Sequence, residues 1–156
     1  MKHGHVLGAI AAIVGTDGIL KKIAEKKLAG KVQKRILGGR ILLRLLHNDG
    51  AALGLLKKEK KLLLAFQSAA LGAAVGRLFD APKERHAERL GLILAIGGGC
   101  SNLIDRIRRG YVTDYFSIDL GERFHRLKNI VFNLSDLCIF SGGILWCIQR
   151  ISKSKS

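Results

Sequence analysis

The sequence predicts an all-α integral membrane protein with four transmembrane helices. Of the 156 residues 48% are hydrophobic, and the mean hydropathy is positive, at +0.19, although 25% of the residues are charged. The apolar residues are concentrated in four blocks, and the charges lie mainly between them. Blocks of roughly 15 to 20 residues, at about 1.5 Å per residue in a helix, nearly cross a hydrocarbon layer about 30 Å thick. We place the helices of a single membrane-embedded domain at 4–20, 62–79, 90–106 and 130–149.

The first block follows Lys2 and contains the apolar run Val6 to Val14. A basic start and an apolar run also resemble a signal peptide, and the segment Ala9 to Ala11 has the small-x-small pattern of a cleavage site. That pattern comes before an apolar core of the usual length has been completed. We therefore interpret 4–20 as a first helix that is retained.

The third block contains three consecutive glycines, Gly97 to Gly99, whereas the second and fourth blocks are longer apolar stretches. Buried helices of a soluble bundle are the alternative for the shorter, Gly- and Ala-rich first and third blocks. Such a glycine run would weaken a soluble helix by about 1 kcal/mol per residue. In a membrane helix, small residues allow neighbouring helices to approach closely. The run therefore favours the membrane interpretation.

The net charge of +15 first suggests a nucleic-acid partner, because basic surfaces bind phosphates. The basic residues lie in the connections, as in Lys57 to Lys61, without interleaved aromatic residues. Aromatic residues make up only 6% of the chain, which leaves little for stacking on bases. We expect anionic membrane lipids as partners, and no nucleic acid.

Metal and disulfide chemistry is not predicted. The three cysteines fall in apolar segments without CxxC spacing, as is typical of Cys used as a small hydrophobic residue: Cys100, Cys138 and Cys147. His3 and His5 form a close pair, but no carboxylate or third histidine lies near them in sequence. The sequence has no HExxH, nucleophile elbow, P-loop or dinucleotide fingerprint. We expect neither a metal nor an organic cofactor.

Carboxylates beside the apolar blocks are the most informative residues. Asp136 lies about one turn inside the fourth block, where a lone carboxylate costs at least a few kcal/mol or takes up a proton. Asp105 and Asp114 follow the third block. Each has a structural explanation, Asp105 as an interfacial ion pair with Arg106 worth about 0 to 1 kcal/mol, and Asp114 as a loop cap. Two acids brought together can instead share one proton and divide into general base and general acid.

Four crossings place the polar residues on one side of the membrane. The end of helix 1, the first long loop, the end of helix 3 and the start of helix 4 must share a side, whichever way the chain is oriented. The residues that fall there are Asp17, Asn48, Asn102, Asp105, Arg106, Asp114, Asn133 and Asp136.

Four polar segments carry a resemblance to a known family. They are Asp17-Gly-Ile-Leu-Lys21, Asn48-Asp-Gly50-Ala-Ala-Leu53, Asn102-Leu-Ile-Asp105-Arg106 followed by Gly110-Tyr-Val-Thr-Asp114, and Phe132-Asn133-Leu-Ser-Asp136. Their order and spacing resemble the signature of bacterial lipoprotein signal peptidase (signal peptidase II), an aspartic intramembrane protease. The chain differs from the usual pattern at Leu53, Ser101 and Ser135, and its connection from Gly121 to Val131 lacks the Pro residues often found before Phe-Asn. These differences leave open a divergent paralogue with altered substrate preference.

The resemblance implies that Asp114 and Asp136 are the catalytic dyad. It implies supporting or substrate-binding roles for Asp17, Lys21, Asn102, Asp105, Arg106 and Asn133, and places Asn48 and Gly50 in a small extracytoplasmic β-cradle over the active site. The implied reaction is hydrolysis of the peptide bond just before a diacylglyceryl-modified Cys of a prolipoprotein, without a cofactor. The implied location is the bacterial cytoplasmic membrane, with the active site near its extracytoplasmic face, and we expect a monomer.

A non-catalytic paralogue that binds lipid or lipopeptide in the same groove is the alternative, but the presence of both Asp114 and Asp136 favours an enzyme, because a binding site needs no shared proton.

With both termini cytoplasmic, the Lys-rich connection from Lys21 to Lys61 would face outward, against the positive-inside tendency. We interpret part of that connection as lying on an anionic outer leaflet.

Overall fold

The computed structural model describes residues 3–30, 33–50, 57–119 and 130–153. Within these ranges the chain forms four helices and a small antiparallel sheet. In chain order the elements are α1 (His3–Leu28), β1 (Lys34–Ile36), β2 (Ile41–Asn48), α2 (Lys60–Asp80), α3 (His86–Arg109), β3 (Val112–Ile118) and α4 (Leu134–Lys153).

Helices α2, α3 and α4 contain stretches that are long and apolar enough to cross a membrane: Lys60–Asp80, His86–Arg109 and Leu134–Ile151. Large apolar side chains point outward from these helices, and Phe66, Phe79 and Phe140 are each at least 69% exposed. Such a surface suits a hydrocarbon environment better than water. The described residues therefore confirm a mostly helical fold with three helices long and apolar enough to cross a membrane. Helix α1 has 26 residues but does not meet the same criterion in the described part of the chain.

Three of the four helices differ from their predicted ranges by four or more residues at one or both ends. Helix α1 was predicted over 4–20 but continues to Leu28, because the charged stretch that follows the apolar block is bound on one face: Lys21 pairs with Asp105 of α3, and Glu25 binds His47 of β2 and Thr113 of β3.

The fourth helix was predicted over 130–149 but spans Leu134–Lys153. It begins later because Phe132 bridges to Phe116 of β3 before the helix starts, and it continues four residues further than predicted. Helix α2 extends beyond 62–79 by two residues at its start and one at its end, to Lys60–Asp80. Helix α3 extends beyond 90–106 by four residues at its start and three at its end, to His86–Arg109.

Helix α3 lies at the centre of the bundle and packs against the other three helices. Its glycine run Gly97–Gly99 explains how. A Cβ on the first glycine would lie 2.8 Å from Ile13 of α1, one on the second would collide with the carbonyl of Ser135 in α4, and one on the third would lie 3.3 Å from Leu71 of α2. Each glycine thus faces a different helix, and the absence of side chains lets all three neighbours approach.

The sheet has the order β1-β2-β3 and is antiparallel throughout. It supplies the small β region that accompanied the predicted helices. In the β2–β3 ladder Asn48 lies opposite Val112 and Leu46 lies opposite Asp114. Residues two apart on a strand share a face, so Asn48 and Asp114 are diagonal neighbours on one face of the sheet.

Candidate active site

Asp114 on β3 and Asp136 in the first turn of α4 are joined by Asn133. The Asn133 side chain donates from Nδ2 to Asp114 Oδ1 at 2.6 Å, and its backbone N–H donates to Asp136 Oδ2 at 3.0 Å. In return Asn133 Oδ1 accepts the backbone N–H of Asp136 at 2.9 Å, which is the arrangement of a helix N-cap. The residue that starts α4 therefore also holds both carboxylates side by side.

The remaining contacts of the two carboxylates are also with neutral amides. Asn48 Nδ2 donates to Asp114 Oδ2 at 3.0 Å, and Asn102 Nδ2 donates to Asp136 Oδ1 at 3.0 Å. Asp114 is only 2% exposed. In the described ranges no Lys or Arg forms an ion pair with either carboxylate. The two acids are held in place without having their charges cancelled.

This environment changes the protonation of Asp114. Burial, and after it the negative charge of Asp136, raises the pKa of Asp114 to about 7, although the amides of Asn48 and Asn133 act in the opposite direction. A carboxyl whose pKa lies near neutrality both takes up and releases a proton under physiological conditions. The pair is therefore able to carry out general acid–base chemistry.

Lys21 links α1 to α3 close to the two carboxylates. Its Nζ lies 2.7 Å from Asp17 Oδ2 and 2.9 Å from Asp105 Oδ2, and it donates to Asn102 Oδ1 at 2.8 Å. An ammonium group has three protons, so these contacts use all of them. Because Lys21 occupies the Asn102 oxygen, the amide nitrogen of Asn102 is directed at Asp136.

Asp17 accepts hydrogen bonds from two serine hydroxyl groups that the sequence analysis did not place in the site. Ser101 Oγ and Ser135 Oγ each donate to Asp17 Oδ2 at 2.6 Å, and the backbone N–H of Ser135 donates to Oδ1 at 3.3 Å. Both serines stand at positions where the chain differs from the usual family pattern. One sequence signal was present, because they directly precede Asn102 and Asp136.

Arg106 contacts a backbone carbonyl and an amide. Its Nη2 donates to the carbonyl of Gly50 at 2.6 Å, and its Nη1 donates to Gln67 Oε1 at 3.1 Å. The ion pair with Asp105 considered from the sequence does not form, because consecutive helix residues point about 100° apart and Asp105 faces Lys21. Gln67 was missed, although the sequence carried a signal: Gln67 and Ser68 are the only polar side chains in the apolar stretch 62–76.

All the site residues predicted from the sequence lie at the same end of the bundle or in its contact network: Asp17, Lys21, Asn48, Gly50, Asn102, Asp105, Arg106, Asp114, Asn133 and Asp136. Ala51 to Leu53 of the Asn48 segment lie outside the described residues. Among the residues that the structure describes, no three His, Cys, Asp or Glu side chains gather as a metal site would require.

The chain is thus a helical membrane bundle in which a buried carboxylate of a small antiparallel sheet, Asp114, neighbours a half-buried carboxylate at the start of a helix, Asp136. The family model for Signal peptidase (SPase) II matches residues 9–152. The chain belongs to the signal peptidase II family, as its motifs predicted.

Curated relatives agree with this assignment. The chain is 33% identical over 139 residues to a lipoprotein signal peptidase of Moorella thermoacetica, covering 89% of this chain and 87% of that protein. It is 31% identical over 150 residues to a lipoprotein signal peptidase of Clostridioides difficile, covering 94% of this chain and 96% of that protein.

Solved structures show the same fold. A bacterial membrane enzyme determined by the in meso method superposes with a TM-score of 0.87 over 99% of this chain and 92% of that chain, at 21% sequence identity. A second structure described in the same way has a TM-score of 0.81 over 95% of this chain and 93% of its own.

Proposed function

We propose that this chain hydrolyses the peptide bond just before the diacylglyceryl-modified Cys of prolipoproteins, with Asp114 and Asp136 as an aspartic dyad. The observation that carries the proposal is the bridge through Asn133, whose side chain binds Asp114 and whose backbone binds Asp136. Membership of the signal peptidase II family and the relatives named lipoprotein signal peptidase support the substrate class.

The chemistry follows from one proton shared by two carboxyl groups. An amide is a poor electrophile and water a poor nucleophile, so hydrolysis needs a base and an acid at once. The ionised member of the dyad takes a proton from water while the oxygen attacks the carbonyl carbon. The protonated member gives its proton to the carbonyl oxygen, and a proton then passes to the leaving nitrogen as the C–N bond breaks. The scheme involves no metal and no organic cofactor.

Neighbouring residues have supporting roles in this proposal. Asn102, oriented by Lys21, holds Asp136, and Asn48 holds Asp114. Arg106 binds the Gly50 carbonyl and so keeps the end of the β2 segment against α3. The same proposal gives substrate-binding or supporting roles to the remaining polar residues: Asp17, Asp105 and Asn133.

The proposal includes a membrane placement. Helix α1 is the fourth crossing beside α2, α3 and α4, and the protein resides as a monomer in the bacterial cytoplasmic membrane. The sheet covers the dyad near the extracytoplasmic face. The diacylglyceryl chains of the substrate then remain in the hydrocarbon layer while the scissile bond reaches the two carboxyls, and anionic lipids contact the Lys-rich connections.

The test is an assay with purified protein in detergent and a diacylglyceryl prolipoprotein as substrate. Wild type should release the signal peptide, Asp114→Asn should not, and the matched variant Asp80→Asn, at the exposed far end of α2, should cleave like wild type. Omitting the diacylglyceryl group should strongly reduce cleavage. Binding without cleavage by wild type, cleavage by Asp114→Asn, or activity lost in a chelator and restored by zinc would each contradict the proposal.

A further inference from the structure

Helix α1 presents three charged residues at intervals of four: Asp17, Lys21 and Glu25. Residues at this spacing lie on neighbouring turns of one helix face. Asp17 and Lys21 bind the helical part of the site on α3 and α4. Glu25 lies two turns further along and has no place in the chemistry described above.

The Glu25 carboxylate binds both inner strands of the sheet. Its Oε1 accepts a hydrogen bond from Thr113 Oγ1 at 2.8 Å and one from His47 Nε2 at 2.9 Å, and Arg109 Nη1 lies 3.8 Å away. Thr113 is fully buried, and the His47 ring packs on Tyr111 with 4.2 Å between ring centroids. Glu25 therefore connects α1 to β2, β3 and the end of α3.

The two strand residues that Glu25 binds are adjacent to the proposed machinery. Thr113 directly precedes Asp114, His47 directly precedes Asn48, and Thr113 and His47 are paired in the β2–β3 ladder. Successive side chains of a strand point to opposite faces. Glu25 therefore binds the His47–Thr113 pair on one face of the sheet, whereas Asn48 and Asp114 lie on the other face.

Asp17 has the same relation to the helical half of the site. It binds Ser101 and Ser135, which directly precede Asn102 and Asp136. Each of these carboxylates on α1 therefore binds two residues that directly precede site residues. Asp17 binds those before Asn102 and Asp136, and Glu25 binds those before Asn48 and Asp114. A helix is rigid over two turns, about 12 Å for eight residues, so α1 fixes the separation of the two halves.

We infer that Glu25 is a positioning residue that, by holding Thr113 and His47, keeps Asp114 of β3 at its working distance from Asp136. The inference rests on the proposed function of the dyad. Small sheets gain stability by packing against a helix, so the contacts of Glu25 on the long helix α1 help to determine where β2 and β3 lie. Displacing a reacting group by about 1 Å can cost up to about a hundredfold in rate.

The kinetic test measures kcat and KM separately for one lipopeptide in detergent. Glu25→Ala and the nearly isosteric Thr113→Val should each lower kcat about tenfold and leave KM within about twofold, because neither residue touches the substrate. Glu25→Gln keeps an acceptor oxygen and Thr113→Ser keeps the hydroxyl, so both should retain kcat within about threefold of wild type. Lys26→Ala, on the next and exposed position of α1, is the matched control and should be unchanged.

The double variant Glu25→Ala/Thr113→Val adds a second criterion. Both changes remove the hydrogen bond from Thr113 to Glu25; Glu25→Ala also removes the contact with His47, and Thr113→Val the hydroxyl to which Arg109 Nη1 donates at 3.5 Å. Because the shared bond is the one that carries the positioning role, the double variant should be no slower than about twofold below the slower single variant. Losses that multiply would show that Glu25 and Thr113 act separately and would overturn the inference, as would kcat within twofold of wild type in both single variants. An equal loss in Glu25→Gln and Glu25→Ala would reject the role of the acceptor oxygen.

A readout without substrate separates this inference from the proposed function. The charged groups facing Asp114 are Asp136 on α4, Lys21 on α1 and Arg106 on α3, and none of them is altered in the variants. If the sheet moves and water reaches Asp114, its carboxyl should titrate at lower pH in Glu25→Ala and Thr113→Val than in wild type and Lys26→Ala, by infrared difference spectroscopy. An unchanged titration would overturn the positioning role. Wild type that fails to cleave would instead reject the proposed function.

Discussion

The bundle buries carboxylates at both ends of α3, and the two ends treat them in opposite ways. Near the start of α3, Glu88 is fully buried and accepts hydrogen bonds from Arg77 Nε at 2.7 Å and Arg85 Nη1 at 3.3 Å. At the other end, Asp114 and Asp136 are bound only by neutral amide donors in the described part of the chain. The first arrangement cancels a charge, whereas the second holds two acids together without cancelling them.

The charge of the hydrogen-bond partners separates a structural cluster of buried carboxylates from a functional one. A carboxylate between two guanidinium groups is stable as an anion and has no reason to exchange a proton. A carboxylate held by neutral amides next to a second acid gains from taking up a proton. Burial is common to both clusters, so burial by itself does not identify a site. What identifies a site is whether the hydrogen-bond partners of the carboxylate are charged or neutral.

The largest effect is expected at the dyad. Asp114→Asn and Asp136→Asn should each lower turnover at least a thousandfold, because an amide serves neither as base nor as acid. Expression and membrane insertion should be retained, since Asn keeps the size of Asp. Turnover of a lipopeptide by purified variants, alongside membrane extraction with carbonate, is the measurement. Substantial residual turnover in either variant would mean that the dyad is misassigned.

A smaller loss is expected at Asn48. Asn48→Ala removes one of the two amides on Asp114 and should lower turnover about tenfold, equally in neutral detergent and in anionic bilayers. The loss should not depend on lipid, because the contact is with the dyad. An effect seen only in bilayers would assign Asn48 to the lipid-facing surface instead.

A lipid-dependent effect is expected from the exposed lysines at the start of α2. Neutralising Lys57, Lys58, Lys60 and Lys61 together should raise KM several-fold in phosphatidylglycerol bilayers, because each charge near an anionic surface contributes about 1 kcal/mol. In neutral detergent the same variant should match wild type. Equal losses in the two media would remove the lipid-binding role.

The smallest effect on turnover is expected at the opposite end of α3. Glu88→Gln should change turnover less than twofold, because Glu88 lies about 21 Å along α3 from Asn102. It should nonetheless lower the free energy of unfolding by about 2 kcal/mol, since it weakens charged hydrogen bonds to Arg77 and Arg85. Turnover and unfolding in the same detergent test both parts, and a tenfold loss of turnover would undo the contrast between the two clusters.

Much of this site could be predicted from the sequence, because its residues are polar or ionisable side chains in or beside apolar segments. Asp136 in an apolar helix, and the polar segments around Asn48, Asn102 and Asp114, stand out by residue type. Counting membrane crossings brought them to one end before any distance was known. The glycine run Gly97–Gly99 likewise indicated close helix packing, and the structure shows a separate neighbour for each glycine.

The remainder depends on distances between segments far apart in the chain. Glu25 lies 88 residues from Thr113, and Ser135 lies 118 residues from Asp17, so no local pattern pairs them. The continuation of α1 to Leu28 was missed for a related reason. A charged stretch after an apolar block suggests the end of a membrane helix, whereas here a face of that stretch is bound by α3, β2 and β3.

We predict that the carboxyls held by neutral amides, Asp114 and Asp136, share a proton and that Glu88, held by arginines, does not. Infrared difference spectra between pH 5 and pH 9 measure this without substrate. Because burial and Asp136 raise the pKa of Asp114 to about 7, its protonated carboxyl band should be present below about pH 7 and disappear above it. The band should be absent in Asp114→Asn and unchanged in Glu88→Gln. A band that persists in Asp114→Asn and disappears in Glu88→Gln would contradict the account.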